Sequence, residues 1–353
     1  MDALGALERS GGMRVLTVET LRAWSSEFPD DELIVLAPQW LLDEVGSPNV
    51  RGIRWPNASI MTRAPGQLIV SGIAAAARRA DALVSLGPVV SPLTRRPRVC
   101  FNHDWRHLAN PHEFGRGQRL YRKIWRASAG WADAVACLSA KTLRETRAVQ
   151  PRAKAVIVAP GWDDARRWMS ASTSIADRAI VTFGHHTNKH PELILAGYAL
   201  LGDEVSKMHP LVIFGAQGTQ AEQLRAAALE HGLADRVMLP GFVDDATFQA
   251  TFIGASVVAL ATTDEGFGLP LSQALALGIP AMASTASGAS ETFGGAVDTF
   301  HDDPRAVAAT LFRALSAPRP VEPPDVRTWA EAARDTRALV GTLVEPAAER
   351  PHA

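Results

Sequence analysis

A chain of 353 residues, 47% of them hydrophobic, is long enough for two ordinary domains that each fill a core. Its formal net charge of −1 gives no whole-molecule attraction to nucleic acid, which is not expected as a partner. No apolar run reaches membrane-spanning length and no basic-then-apolar leader opens the chain, so the expected location is cytoplasmic. Cys100 and Cys137 both sit in apolar runs and read as reduced, buried thiols, with a disulfide or a reactive thiol as lesser readings; no Cys/His spacing resembles a zinc site.

In chain order, residues 13–24 carry two readings. β-branched content over 13–18 suits a strand, while Met13, Leu16, Leu21 and Trp24 near one face suit a helix behind a Gly11-Gly12 loop. A strand over 32–37, a loop-rich region 38–65, an alanine-rich helix around 65–80 and a strand at 82–86 follow. The strand 98–102 delivers His103-Asp104 at its carboxyl end, where an open α/β sheet binds ligands. Asp104 is expected to orient His103 or cap the next segment rather than move a proton. In the basic span that follows, a helix puts Leu120, Ile124 and Ala127 on one side. Its cations form a solvated face or, alternatively, a contact of Arg116, Arg119, Arg122, Lys123 and Arg126 with an anionic bilayer, worth about 1 kcal/mol per basic residue.

Residues 131–139 read as a strand after that helix, with Ser139 capping the next helix from Ala140. Residues 155–163 hold the last strand of the first domain and a turn, and the polar run 170–174 reads as a linker. A fresh α/β pattern then begins: strand 179–184, the loop from His185 to Pro191, helix 192–201, strand 211–215, helix 220–230, strand 236–243 and helix 244–253. His185, His186 and His190 invite a metal reading, but no further ligands stand at matching spacing.

The apolar run 256–261 reads as a buried parallel strand, and Asp264-Glu265-Gly266-Phe267-Gly268-Leu269-Pro270 leads from it into a helix that Gly278 and Pro280 stop. Pro270 suits a first helical turn, where its missing N–H has no partner in any case. Gly266 and Gly268 leave the loop backbone uncovered, and the helix start adds free N–H groups with partial positive charge, which makes an anion site, most plausibly for phosphate. Glu265 repels phosphate but accepts hydrogen bonds from hydroxyls attached to it, so a phosphorylated sugar meets both demands.

This segment resembles the donor-sugar motif of the retaining glycosyltransferases of family 4 (glycosyl transferases group 1). It supplies Glu265 to Pro270, Gly278-Ile279-Pro280, Ser284, Glu291 and Gly294-Gly295. The resemblance covers nearly the whole chain, strongest over 184–304. It implies a GT-B fold of the α/β class, with two doubly wound Rossmann-like domains facing a central cleft. The domains expected are 1–170 on the acceptor side, 171–325 for the nucleotide-sugar, a helix over 326–345 crossing back to the first domain beyond the proline-rich link 318–324, and a frayed tail 346–353. It favours the helix reading of 13–24, with a first strand clipped to 1–7 and a native start expected upstream, and counts the Gly11-Gly12 loop among the donor-binding positions.

The activity implied is that of a hexosyltransferase moving a sugar from a nucleotide-diphosphate sugar, with retention, to a hydroxyl of a saccharide, lipid-linked or small-metabolite acceptor, in polysaccharide or glycoconjugate biosynthesis. The donor is a co-substrate; no cofactor and no metal are expected. The catalytic positions implied are Lys189 on the diphosphate, Glu265 on the sugar hydroxyls and His103 near the reacting centre. Gly266, Phe267, Gly268, Leu269 and Gln273 line the donor, with the amides of Gly268 and Leu269 and the helix behind Pro270 sharing the developing charge. Two departures stand out. Gln273 replaces a second Glu that grips ribose, a loss of roughly 1 kcal/mol that a deoxyribose donor tolerates better. His185 or His186 stands near the place of a missing Arg, with His185 counted among the donor-binding positions. Both lower donor binding, so the alternative is a weakly active or non-catalytic partner subunit; an epimerase or phosphorylase on the same fold is a lesser one.

Overall fold

The structure, a computed structural model, describes residues 1–8, 11–168, 174–317 and 325–344. Positions 170–173 of the expected linker, the proline-rich link and the tail from 345 lie outside the described residues. By its internal contacts the chain forms two units, Met1–Gly161 with the helix Trp329–Val344, and Trp162–Val326.

The first unit contains the parallel strands β1 (Leu33–Ala37), β2 (Val50–Arg54), β3 (Leu83–Ser85), β4 (Arg98–Asn102), β5 (Ala134–Cys137) and β6 (Ala155–Ile157). β1 pairs with β2, and β3 to β6 pair in order. Asp2 joins the two groups: its N–H donates to Val84 O (2.8 Å), its carbonyl accepts from Leu86 N (2.9 Å), and Ala3 N donates to Leu36 O (3.0 Å). The first strand is therefore an extended piece at residues 1–3, ended by a turn at Leu4-Gly5, rather than a strand over 1–7.

Gly11–Glu27 is a helix. Gly11 and Gly12 form its first turn and not a loop, because first-turn N–H groups have no intrahelical partner and glycine costs little there. This helix packs on Trp329–Val344, and Arg337 donates to Asp31 at 2.7 and 2.9 Å. The helix expected around 65–80 starts at Ile60, because the Ser59 side chain accepts from Thr62 N and caps it there.

In the second unit β7 (Ile180–Phe183), β8 (Leu211–Phe214), β9 (Val237–Gly241), β10 (Val257–Leu260), β11 (Ala281–Ser284) and β12 (Asp298–Phe300) form one parallel sheet in the order β12-β11-β10-β7-β8-β9. Side chains alternate between two cores. Ile180, Leu211, Ile213, Val257 and Ala259 enter one; Val181, Phe183, Val212, Phe214, Val258 and Leu260 enter the other. Both faces are covered, so the strands are continuously apolar in sequence. The strand β7 has β8 and β9 on one side and β10 to β12 on the other. The chain thus reverses its direction of growth between β7 and β10, and the loops leaving their carboxyl ends part to opposite faces, which leaves room for a ligand.

Residues 162–168, read from the sequence as part of the first domain, pack with the second unit. Ala165 is buried with Ala276 and Val326, and Trp162 packs on Phe267 and Phe293. An apolar turn follows its contacts and not its place in the chain.

Candidate functional site

The loop after β7 and the loop after β10 meet at this switch point. Lys189 Nζ donates to Glu265 Oε2 at 2.5 Å, with side chains only 8% and 19% exposed. Two ions taken out of water cost several kcal/mol each, so the pair is weak evidence for stability, while losing one partner strands the other. The neighbouring residue holds the loops together: Asn188 Nδ2 donates to Asp264 O (2.7 Å) and Asn188 O accepts from Thr263 N (3.3 Å). Sequence reasoning missed Asn188. Its only signal is that it precedes Lys189.

Gly268 begins the helix Leu269–Ala276 at φ +96°, a conformation that favours glycine, and a Cβ there would stand 2.8 Å from Ala289 Cβ. Among the described residues, the amides of Gly268 and Leu269 have no acceptor, and Pro270 in the first turn has no N–H to offer. These amides point the positive end of the helix at the same switch point as Lys189. Gly266 is buried and has interactions of its own. Phe267 is 4% exposed, with its ring against Trp162 (5.7 Å) and Phe293 (5.3 Å). Its side chain therefore anchors the loop from below, and a donor-lining role is left to its backbone alone.

Gln273 is buried, and its Nε2 donates to Asp164 Oδ2 at 2.9 Å. A glutamate here would set two buried carboxylates against each other. The amide thus has a local structural cause, beside which no deoxyribose donor is needed to explain it. The His185 ring lies tilted against His186 (4.6 Å between centroids), with Phe183 edge-on to it and Phe242 nearby. Among the described residues no three His, Cys, Asp or Glu side chains are grouped to hold a metal ion.

In the first unit, His103 follows β4, and its Nε2 lies 3.1 Å from Leu86 O. A carbonyl only accepts, so this contact assigns the proton to Nε2 and leaves Nδ1 as an acceptor. Burial lowers the His103 pKa, which keeps the ring neutral near pH 7. Asp104 Oδ1 accepts from Arg106 N (3.1 Å), a turn bond just before the short helix Arg106–Ala109, whose N-cap position is Trp105. Gly11 and Gly12 are exposed, and a Cβ on Gly11 would meet nothing within 4 Å, so no close approach there demands glycine.

The helix Arg116–Trp131 buries Tyr121, Trp125, Ser128 and Ala129, whereas Leu120 is 67% exposed and Ala127 is exposed too. Two apolar stripes are available on this helix, and the one with two large rings removes more area from water. Arg116, Arg119, Lys123 and Arg126 face solvent. Arg122 does not: its guanidinium lies 4.2 Å from the rings of both Phe114 and Trp125. No helix among the described residues is long and apolar enough to cross a membrane.

The fold is GT-B. Over 95% of this chain it is similar to sucrose-phosphate synthase from Thermosynechococcus elongatus (TM-score 0.65, 19% identity, 90% of that chain). It is also similar to HepE from Anabaena in complex with UDP and glucose (TM-score 0.64, 16% identity, 95% of this chain and 92% of that one). A putative UDP-N-acetylglucosamine 2-epimerase from Listeria monocytogenes is similar as well (TM-score 0.64, 12% identity, 94% of each chain). At these identities the likeness concerns the fold alone. No curated protein matches the sequence. Residues 176–335 match the family model described as glycosyl transferases group 1, and this segment contains Lys189, Glu265 and the glycine-bearing loop.

Proposed function

We propose that the protein is a retaining glycosyltransferase that moves a sugar from a nucleoside diphosphate sugar to an acceptor hydroxyl. The observation that carries this reading is the Lys189–Glu265 pair beside the unengaged amides of Gly268 and Leu269, at the switch point of the second sheet. The family match over 176–335 supports it, as does the fold shared with a protein held in complex with UDP and glucose.

In this reading the donor exchanges one bond for two. Lys189 turns from the Glu265 carboxylate to the diphosphate, another anion, and Glu265 turns from the Lys189 cation to neutral sugar hydroxyls that donate to it. The leaving diphosphate gains negative charge in the transition state, and Lys189, the two amides and the helix start stabilise it. The acceptor hydroxyl attacks the anomeric carbon from the face the diphosphate leaves, and its proton passes to the departing phosphate oxygen. No side chain then serves as nucleophile. A neutral His103 with a free Nδ1 accepts a hydrogen bond from a hydroxyl and positions it. The exposed stripe Arg116, Arg119, Leu120, Lys123 and Arg126 supports contact with an anionic membrane surface.

The test is a thermal-shift screen of UDP-, GDP- and dTDP-sugars on the purified protein, followed by mass spectrometry of products formed with lysate acceptors. A stabilising donor and a mass gain of one hexose are expected. A protein that binds no nucleotide-sugar and hydrolyses none would return the reading to a partner subunit.

A further inference from the structure

The first unit holds a second concentration of charge that the mechanism does not use. Arg63, in the last turn of the short helix Ile60–Pro65, lies with its guanidinium 5.1 Å from the Tyr121 ring centroid. Tyr121 donates to Gln67 Oε1 at 2.5 Å, and Arg122 stacks on Trp125 and Phe114. These groups form one neighbourhood: Tyr121 feels the charges of Arg63, Asp2 and Arg122, and Arg122 feels Arg63, Arg106 and Asp104.

What sets the cluster apart is the balance of its hydrogen bonds. Arg63 Nε, Gln67 Nε2, Arg122 Nη1 and Trp125 Nε1 are all buried donors with no acceptor among the described residues. Gln67 is fully buried. A buried donor left without a partner costs about 1–3 kcal/mol, so four donors in one neighbourhood favour an acceptor supplied from outside the chain. The charge is only partly balanced. Glu113 is taken by Arg106 (Nε to Oε2, 2.7 Å), while Asp104, which accepts from the Arg106 amide at Oδ1, is the carboxylate whose field reaches Arg122. Asp2 is pushed up to about 7 by burial, so much of its negative charge is absent near neutrality. Burial also pulls the Arg122 pKa down, with Asp104 acting against it. Guanidinium forks held over aromatic faces, with N–H groups left over and no carboxylate bonded to them among the described residues, suit an oxoanion with several acceptor oxygens.

We infer that Arg63 and Arg122, with Gln67 beside them, bind a phosphate group carried by the acceptor. The inference rests on the glycosyltransferase reading and narrows its acceptor to a phosphorylated class, either a lipid-borne phosphate or a soluble sugar phosphate. The cluster uses residues from the helix starting at Ile60 and the helix Arg116–Trp131, which are neighbours in the first unit.

Inorganic phosphate is the probe, titrated into the full-length protein and read by tryptophan fluorescence, since Trp125 stacks on Arg122. The titration is repeated with UDP present and on Lys189→Ala, which separates phosphate taken at the donor loops from phosphate taken here. Binding should persist in Lys189→Ala and weaken at least tenfold in Arg63→Gln and in Arg122→Gln. Arg63→Lys and Arg122→Lys, which keep the charge but lose the fork, should weaken it several-fold with unchanged circular dichroism. Equal phosphate affinity in the arginine variants, or complete loss with Lys189→Ala, would overturn the proposal. Failure of UDP, GDP and dTDP alike to bind, with arginine-dependent phosphate binding intact, would overturn the nucleotide-sugar reading and leave the anion site standing. Co-sedimentation with phosphatidylglycerol vesicles that falls in Arg122→Gln assigns a lipid-borne phosphate. Phosphate binding with no vesicle retention assigns a soluble one.

Discussion

At the carboxyl edge of the second sheet Lys189 meets Glu265 at 2.5 Å; in the first unit Arg63 and Arg122 meet aromatic rings and no carboxylate. Both units are doubly wound, with their first strand inside the sheet and later strands added on either side. The plan is common to both; the treatment of charge is not. Under the proposed function each ion of the second unit is satisfied by the other until a ligand supplies substitutes, an anion for Lys189 and hydroxyls for Glu265. In the first unit only cations and donors wait, so the ligand need carry only an anion. An ion paired with a carboxylate and one held over aromatic rings therefore suit different ligands.

The largest effect expected is on transfer itself. Lys189→Ala and Glu265→Gln should each slow turnover at least about a thousandfold, or roughly 4 kcal/mol, with a matched donor and acceptor. Steady-state rates decide, with the thermal midpoint recorded in parallel because each change strands a buried partner. Near-normal turnover in both variants would erase the distinction between the two units.

A smaller effect concerns acid stability of the first unit. His107 is buried among Trp105, Phe114 and Trp125, and burial, aided by the charge of Arg122, lowers its pKa to about 4. The unfolded chain takes up this proton near 6.5, before the folded one does. The neutral ring's contribution is complete above pH 6.5 and is lost as pH falls towards 4, by at most about 3 kcal/mol. His107→Phe should flatten the melting curve against pH over that window. An unchanged acid limb would mean the ring is not held neutral by its surroundings.

Next in size is the pair that fixes position 273. Gln273→Glu alone should cost about 2 kcal/mol by opposing Asp164, and Asp164→Asn in the same chain should recover most of it. Denaturant melts of the four-member cycle measure the coupling. Without coupling, the amide at 273 needs another explanation. The smallest effect belongs to a surface pair: Arg337→Ala, which frees Asp31, should cost under about 1 kcal/mol and less in high salt. Arg337 holds the Asp31 carboxyl below its usual range, so whatever this pair contributes is present above pH 4 and lost as pH falls below that.

The sequence by itself determined what depends on neighbours along the chain. Apolar runs bounded by Gly, Pro and capping residues placed the strands of the second unit and the helix behind Pro270, because period and turn chemistry are local. The loop from Glu265 to Pro270 was legible for the same reason. Tertiary structure alone decided what depends on closing long loops. Lys189 reaches Glu265 across 76 residues, and Gln273 reaches Asp164 across 109, so neither bond leaves a local trace. It also chose between two apolar stripes of the helix Arg116–Trp131, turning Arg122 inward and Leu120 outward, since buried area is settled only when a neighbouring element arrives.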